Sequence, residues 1–177
     1  MQVKSRLVML AALALLALAT AACSQSNTPR AELKDAGGQV VGEATLTAAS
    51  DGAGVQITLR VHDLLPGTHG VHIHDVGKCD PPEFTSSGGH FNPHRKQHGL
   101  ANPDGPHAGD LPNLIVGSDG AGTLSTVNTL LQNLPGGKNM FDGDGVALVI
   151  HAGPDDQTSN PSGNSGARIA CGLILHD

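Results

Sequence analysis

The stretch VQITLRVHDL, residues 55–64, decides the fold class. Val55, Ile57, Leu59 and Val61 alternate with Gln56, Thr58, Arg60 and His62, the period of two that a half-buried antiparallel strand requires. His62 falls on the polar face and reads as a solvated surface histidine. Upstream, AELKD and VVGEATLTA flank Gly37 and Gly38, and SDGAG separates them from the decisive strand. Downstream, further strands are expected at 69–75, 113–116, 123–129, 145–151 and 168–175, with GSDGAG and FDGDG among their turns. No segment carries a convincing helical period. About eight short strands therefore predict an all-β, antiparallel barrel or sandwich.

Composition agrees. The chain has 177 residues, enough for one domain with a self-sufficient core. It contains three Phe and no Trp or Tyr, so the core has to be built from Val, Leu, Ile and Ala. The 24 Gly and 11 Pro imply many turns.

Residues 1–22 stand apart. Lys4 and Arg6 precede the apolar run LVMLAALALLALA, which is short for a bilayer span and suited to a secretory signal. The run ends in LATAAC, resembling the bacterial lipoprotein signal, in which Cys23 becomes the lipidated first residue. Residues 23–30 then read as a polar tether, and 31–177 as the folded domain, exported to the cell envelope or periplasm and touching the membrane only through Cys23. With Cys23 assigned to the signal, Cys79 and Cys171 are left as an even pair in an oxidising compartment and read as a disulfide. In the chain-entropy account so long a loop is worth about 4 to 5 kcal/mol. The formal charge is −6, and removing Lys4 and Arg6 with the signal takes it to −8, which excludes a nucleic-acid partner on charge grounds.

Two long regions lack strand patterning, 76–111 and 152–167, and they hold most of the remaining histidines. Long ordered loops in a compact domain usually carry function. On the expected strand 69–75, His72 and His74 project from one face with Cα atoms about 7 Å apart and can converge on one ion. His69 has the opposite parity and should not join them. In the first loop, GGHFNPHRKQHGL and PHAGDL offer His90, His94, His98, His107 and Asp110. Three imidazoles and one carboxylate make a closed tetrahedral set suited to a structural zinc. His94 lies in a basic patch beside Arg95 and reads as a surface residue. His151 ends the apolar strand GVALVIH and is ambiguous by itself.

Together HGVHIH, GGHFNPHRKQHG, HAGDLPN, IHAGPDD and GNSGARIACG resemble the copper/zinc superoxide dismutase family, from about Ala31 to Leu175. The resemblance implies an eight-stranded antiparallel Greek-key β-barrel, an immunoglobulin-like sandwich, with two long functional loops. It implies copper held by His72, His74, His90 and His151, and zinc held by His90, His98, His107 and Asp110. His90 would bridge the two ions. Asp155 matches the carboxylate that links a copper ligand to a zinc ligand, and Arg168 matches the arginine that receives the anionic substrate. His69 matches a histidine that ties loop to strand without binding metal, and Cys79 with Cys171 matches the intrasubunit disulfide. The implied reaction disproportionates superoxide to dioxygen and hydrogen peroxide, with Arg168 and the protonatable His90 as catalytic groups. A second reading of the same residues is a noncatalytic copper- and zinc-binding envelope domain. Scarce aromatics offer no obvious interface anchor, so monomer and homodimer both stay open. The loop between His151 and Arg168 contains Asp155 and Asp156 but no lysine. Attraction of an anion has to be local, and Lys78, Arg95, Lys96 and Lys138 are further candidates for steering.

Overall fold

A computed structural model of the chain describes residues 28–131, 140 and 145–175. The expected signal at 1–22, Cys23 and Lys138 lie outside the described residues. Nine strands are present: β1 Arg30–Asp35, β2 Val40–Ala48, β3 Val55–Val61, β4 Gly67–His69, β5 Val71–His74, β6 Leu114–Val116, β7 Gly122–Asn128, β8 Val146–His151 and β9 Arg168–Ile174. They form one antiparallel sheet in the order β4-β6-β7-β3-β2-β1-β9-β8-β5. Only Gly70 separates β4 from β5, so the two ends of the sheet belong to one run of chain and the sheet wraps into a nearly closed barrel. The chain crosses from β3 to β4 and from β7 to β8, the long connections of a Greek-key arrangement.

The ninth strand departs from the expected eight because the run 69–75 is divided. β4 pairs with β6, whereas β5 pairs with β8. At the change of partner the Gly70 N–H donates to the Gly153 carbonyl at 2.8 Å, and the Gly70 carbonyl accepts from His151 N at 2.9 Å. A Cβ at Gly70 would lie 2.8 Å from the Ser165 Cβ, so only glycine fits this crossing.

The alternation of 55–61 is realised in β3, where Ile57, Leu59 and Val61 are buried. They meet Leu33, Ala44, Leu46, Ile73, Leu114, Leu148 and Ile150 in an interior built from branched aliphatic side chains. The strand stops at Val61, leaving His62 exposed and bonded to Asp63 at 2.9 Å. A second, smaller apolar cluster lies outside the barrel. Phe84 from the first loop covers Ala147, Val149 and Cys171, with Cys79 packed against them. There Cys79 and Cys171 form the expected disulfide, with Cα atoms 5.6 Å apart, pinning the loop to β9.

Candidate metal centre

The first long loop returns along the free edge of β5 and borrows its ladder. Ile73 N donates to Gly109 O and Phe91 N to Ile73 O, both at 2.8 Å, while Asp75 N donates to Gly89 O at 2.9 Å. His74 thereby comes to lie opposite His90, and His72 opposite Asp110. His151, at the end of β8, enters from the neighbouring strand.

Four imidazoles meet at this corner. His72, His74, His90 and His151 each offer one ligand nitrogen, and these lie within 4.8 Å of one another. The outer nitrogen of three of the rings is occupied by the protein. His72 Nε2 bonds Asp155 Oδ2 at 2.8 Å, His74 Nδ1 donates to the Gly88 carbonyl at 3.0 Å, and His151 Nδ1 to the Gly166 carbonyl at 3.1 Å. The other nitrogens, His72 Nδ1, His74 Nε2, His90 Nε2 and His151 Nε2, are buried and have no hydrogen-bond partner. Buried polar atoms in native proteins are almost always partnered. Four orphan nitrogens converging from four rings fit a cation, and an all-imidazole set suits copper.

The second set lies on the far side of His90. Asp110 Oδ1 is approached by His90 Nδ1 at 2.9 Å, His98 Nδ1 at 3.1 Å and His107 Nδ1 at 3.2 Å. His107 Nδ1 is 3.4 Å from His90 Nδ1. Bonds of 2.0 to 2.1 Å to a tetrahedral ion imply ligand–ligand edges of about 3.3 to 3.4 Å, so these donors are spaced for zinc. His72 also falls near this group. Its one unpartnered nitrogen, Nδ1, already converges on the four-histidine corner, and His107 Nδ1 lies 3.2 Å from Asp110 Oδ1, which makes His107 the better fourth donor. Asp110 Oδ2 accepts from the backbone of Gly99 at 2.8 Å and His107 at 2.9 Å, which holds the carboxylate in place.

Asp155 stands between the two sets. Its Oδ2 meets His72 Nε2 and its Oδ1 meets His98 Nε2 at 3.0 Å. Asn113 clamps its backbone in both directions, accepting from Asp155 N at 2.9 Å and donating to Asp155 O at 2.8 Å.

Electrostatics separate the two halves. Burial, reinforced by the repulsion that a second protonated ring in the cluster would meet, lowers His72 to about 3, His74 to about 2 and His151 to about 4, and Arg168 adds to the effect on His74 and His151. Burial likewise lowers His90. These rings are neutral at physiological pH and present free lone pairs. Burial opposes charge on His98 too, but its hydrogen bonds to Asp110 and Asp155 outweigh that and raise it to about 9. Despite burial, the same bonds and those from His107, His90 and His72 hold Asp110 and Asp155 well below the usual carboxylate range.

Arg168 is held beside the four-histidine corner by the loop that covers β8 and β9. Its Nη1 donates to the Phe84 carbonyl at 2.7 Å and to Ser87 Oγ at 2.9 Å, and its Nη2 to the Gly88 carbonyl at 2.7 Å. Burial lowers its guanidinium and the charge of Asp75 opposes that. His69 is buried away from both sets, bonding the carbonyls of His151 at 2.8 Å and Leu65 at 2.9 Å. His94 is only half-buried and faces the Leu130 carbonyl at 3.4 Å, so it is less open to solvent than a surface assignment implies. Lys78, Arg95 and Lys96 are exposed. Sequence reasoning missed Phe84, Ser87, Gly88 and Asn113. Three of them act through backbone carbonyls or a lone hydroxyl, which leave no residue-type signature, and Asn113 is recognisable only once Asp155 is beside it.

Residues 40–174 match the family described as copper/zinc superoxide dismutase. The chain is 46% identical over 161 residues to superoxide dismutase [Cu-Zn] 2 of Aquifex aeolicus, covering 90% of this chain and 93% of that protein. It is 40% identical over 147 residues to superoxide dismutase [Cu-Zn] of Caulobacter vibrioides, covering 81% and 83%. Among solved structures it is similar to a SOD-like protein from Bacillus subtilis, with TM-score 0.76, 44% identity and coverage of 82% and 97%. The Cu/Zn superoxide dismutase from Brucella abortus gives TM-score 0.68 at 29% identity, covering 84% and 99%. With two nitrogen-rich sites sharing one histidine on the outer face of a Greek-key barrel, the chain belongs to the copper/zinc superoxide dismutase family and disproportionates superoxide to dioxygen and hydrogen peroxide.

Proposed function

We propose that His72, His74, His90 and His151 hold the copper ion, that His90, His98, His107 and Asp110 hold the zinc ion, and that Arg168 receives the superoxide anion. The observation that carries this reading is the set of four buried, unpartnered nitrogens, one of them on a ring whose other nitrogen lies in the second set. When bound, copper supplies a one-electron couple and zinc a fixed positive charge with no redox chemistry of its own. Arg168 then draws the anion to the corner with a guanidinium already locked by three hydrogen bonds. His90 Nε2, when not shared, would hold one of the two protons that peroxide formation consumes, the other coming from water. Asp155 sets the tautomers of His72 and His98 by accepting from both Nε2 atoms, directing their Nδ1 lone pairs inward. Burial of the four unpartnered nitrogens themselves keeps bulk water from competing for them.

Against the noncatalytic alternative stand the convergence of His72, His74, His90 and His151 and the hydrogen-bonded Arg168 beside them. The chain fully loaded with both metals and assayed for superoxide consumption is the test. Activity that falls in Arg168→Ala while both metals stay bound supports the reading, and full copper occupancy without dismutation overturns it. We further propose export to the cell envelope with a lipid anchor at Cys23 and a tether at 23–30, supported by the LATAAC motif and the domain's disulfide. Among the described residues no helix is long and apolar enough to cross a membrane. A mass increase at the mature N-terminus checks the anchor.

A further inference from the structure

Ser87 has no assigned role in the reaction, yet its side chain occupies a decisive point. It is fully buried at 0% exposure, in a short turn that the first loop lays over β8 and β9. Its Oγ donates to the Phe84 carbonyl at 2.9 Å, accepts from Arg168 Nη1 at 2.9 Å and lies 3.3 Å from His74 Nδ1. The next residue repeats the connection, because the Gly88 carbonyl accepts from Arg168 Nη2 at 2.7 Å and from His74 Nδ1 at 3.0 Å. The guanidinium and the imidazole thus share two adjacent acceptors, of which Ser87 Oγ is the one a side chain supplies.

We infer that Ser87 is a positioning residue that couples the substrate-docking arginine to the copper-side histidine His74. The inference rests on the metal and docking assignments proposed above. Its hydroxyl has a single proton, committed to the Phe84 carbonyl, so toward Arg168 and His74 it acts only as an acceptor. That polarity fixes Nη1 at one angle and gives the His74 N–H a second, weaker acceptor beside Gly88. An acceptor on the outer nitrogen of a metal-ligating imidazole raises the basicity of the inner one. A charge-assisted bond to an arginine restrains it more strongly than a neutral one does. One hydroxyl therefore adjusts both the place where the anion docks and the electron donation of one ligand.

The test uses the copper- and zinc-loaded chain and azide as a redox-inert anion. Ser87→Ala is expected to raise the azide dissociation constant, read from the copper absorption band, by about three- to tenfold through loss of one charge-assisted bond. It is also expected to shift the copper EPR spectrum, with metal content unchanged. Ser87→Thr, which restores the hydroxyl, should recover both. Arg168→Ala is read in parallel. If it leaves azide affinity unchanged, the docking assignment itself fails. If Arg168→Ala weakens azide while Ser87→Ala leaves affinity and EPR spectrum alike at wild-type values, only the role of Ser87 is overturned. Should Ser87→Ala fail to fold, Ser87→Gly removes the same hydroxyl and is read in its place against the same criteria.

Discussion

Asp155→Ala separates the two metal sites by the rigidity of what carries their ligands. The carboxylate accepts from His72 Nε2 at 2.8 Å and from His98 Nε2 at 3.0 Å, and it also accepts the Gln157 N–H. Truncation removes both imidazole bonds at once, but the rings differ in what else holds them. His72 sits inside β5, whose ladder with β8 pairs it with Val149, so its direction is set by the strand. His98 lies in the first loop, where its backbone is held by two side chains rather than by a strand ladder: its N–H donates to Asn160 Oδ1 at 2.7 Å and its carbonyl accepts from Asn102 Nδ2 at 2.9 Å. A hydrogen bond to a charged partner is worth about 1.5 to 3 kcal/mol, or about 10- to 150-fold in an equilibrium constant. Outer ligand contacts on metal-binding imidazoles typically cost about 10- to 100-fold when lost. The zinc dissociation constant should therefore rise by about 10- to 100-fold, with the copper constant changing by less than about tenfold because the strand preserves His72. Competition titrations with a chromophoric chelator on the same protein measure both. Loss of copper with zinc affinity retained, or equal loss at both sites, would refute the view that strand and loop hold their ligands with different firmness.

Three further outcomes follow from the same geometry. His151→Ala should abolish copper binding and dismutation while zinc remains stoichiometric, since His151 Nε2 belongs only to the four-histidine corner; metal analysis after dialysis checks it. Asp75→Asn should raise kcat/KM by about two- to fivefold at low ionic strength, because it removes a negative charge close enough to interact with Arg168 that offsets the pull of the guanidinium on an anion, and the gain should vanish in high salt. Proton competition should differ between the metals. A ligand must be neutral to bind, and His98 stays protonated below about 9 in the metal-free protein, so zinc affinity should fall as pH drops below that value. With His72, His74 and His151 lowered to about 3, 2 and 4, copper affinity should stay nearly flat between pH 6 and 9, as titrations across that range would show.

Much of this protein is legible in its sequence. Residues 55–61 declare a half-buried strand because side-chain alternation is local, and the expected strands lie close to observed ones apart from 55–64, which stops at Val61, and 69–75, which divides at Gly70. The proposed metal donors were equally open to reading, since histidine pairs two residues apart and a loop bearing three histidines and an aspartate carry their chemistry in residue type. The pair of cysteines left once Cys23 is read as part of an export signal was enough to indicate the disulfide that β9 and the first loop form.

Tertiary structure alone decided the rest. The division of 69–75 at Gly70 depends on which strand each half meets, and β6 and β8 are far away in sequence. That His90 has one nitrogen in each set follows from the pairing of the loop with the edge of β5, which no spacing rule contains. The grip on Arg168 comes from the Phe84 and Gly88 carbonyls and the Ser87 hydroxyl. Every residue owns a carbonyl, so its use is a matter of where the backbone passes. Residue type announces which atoms can bind a metal, but only the fold brings four lone pairs to one point and leaves them without any other partner.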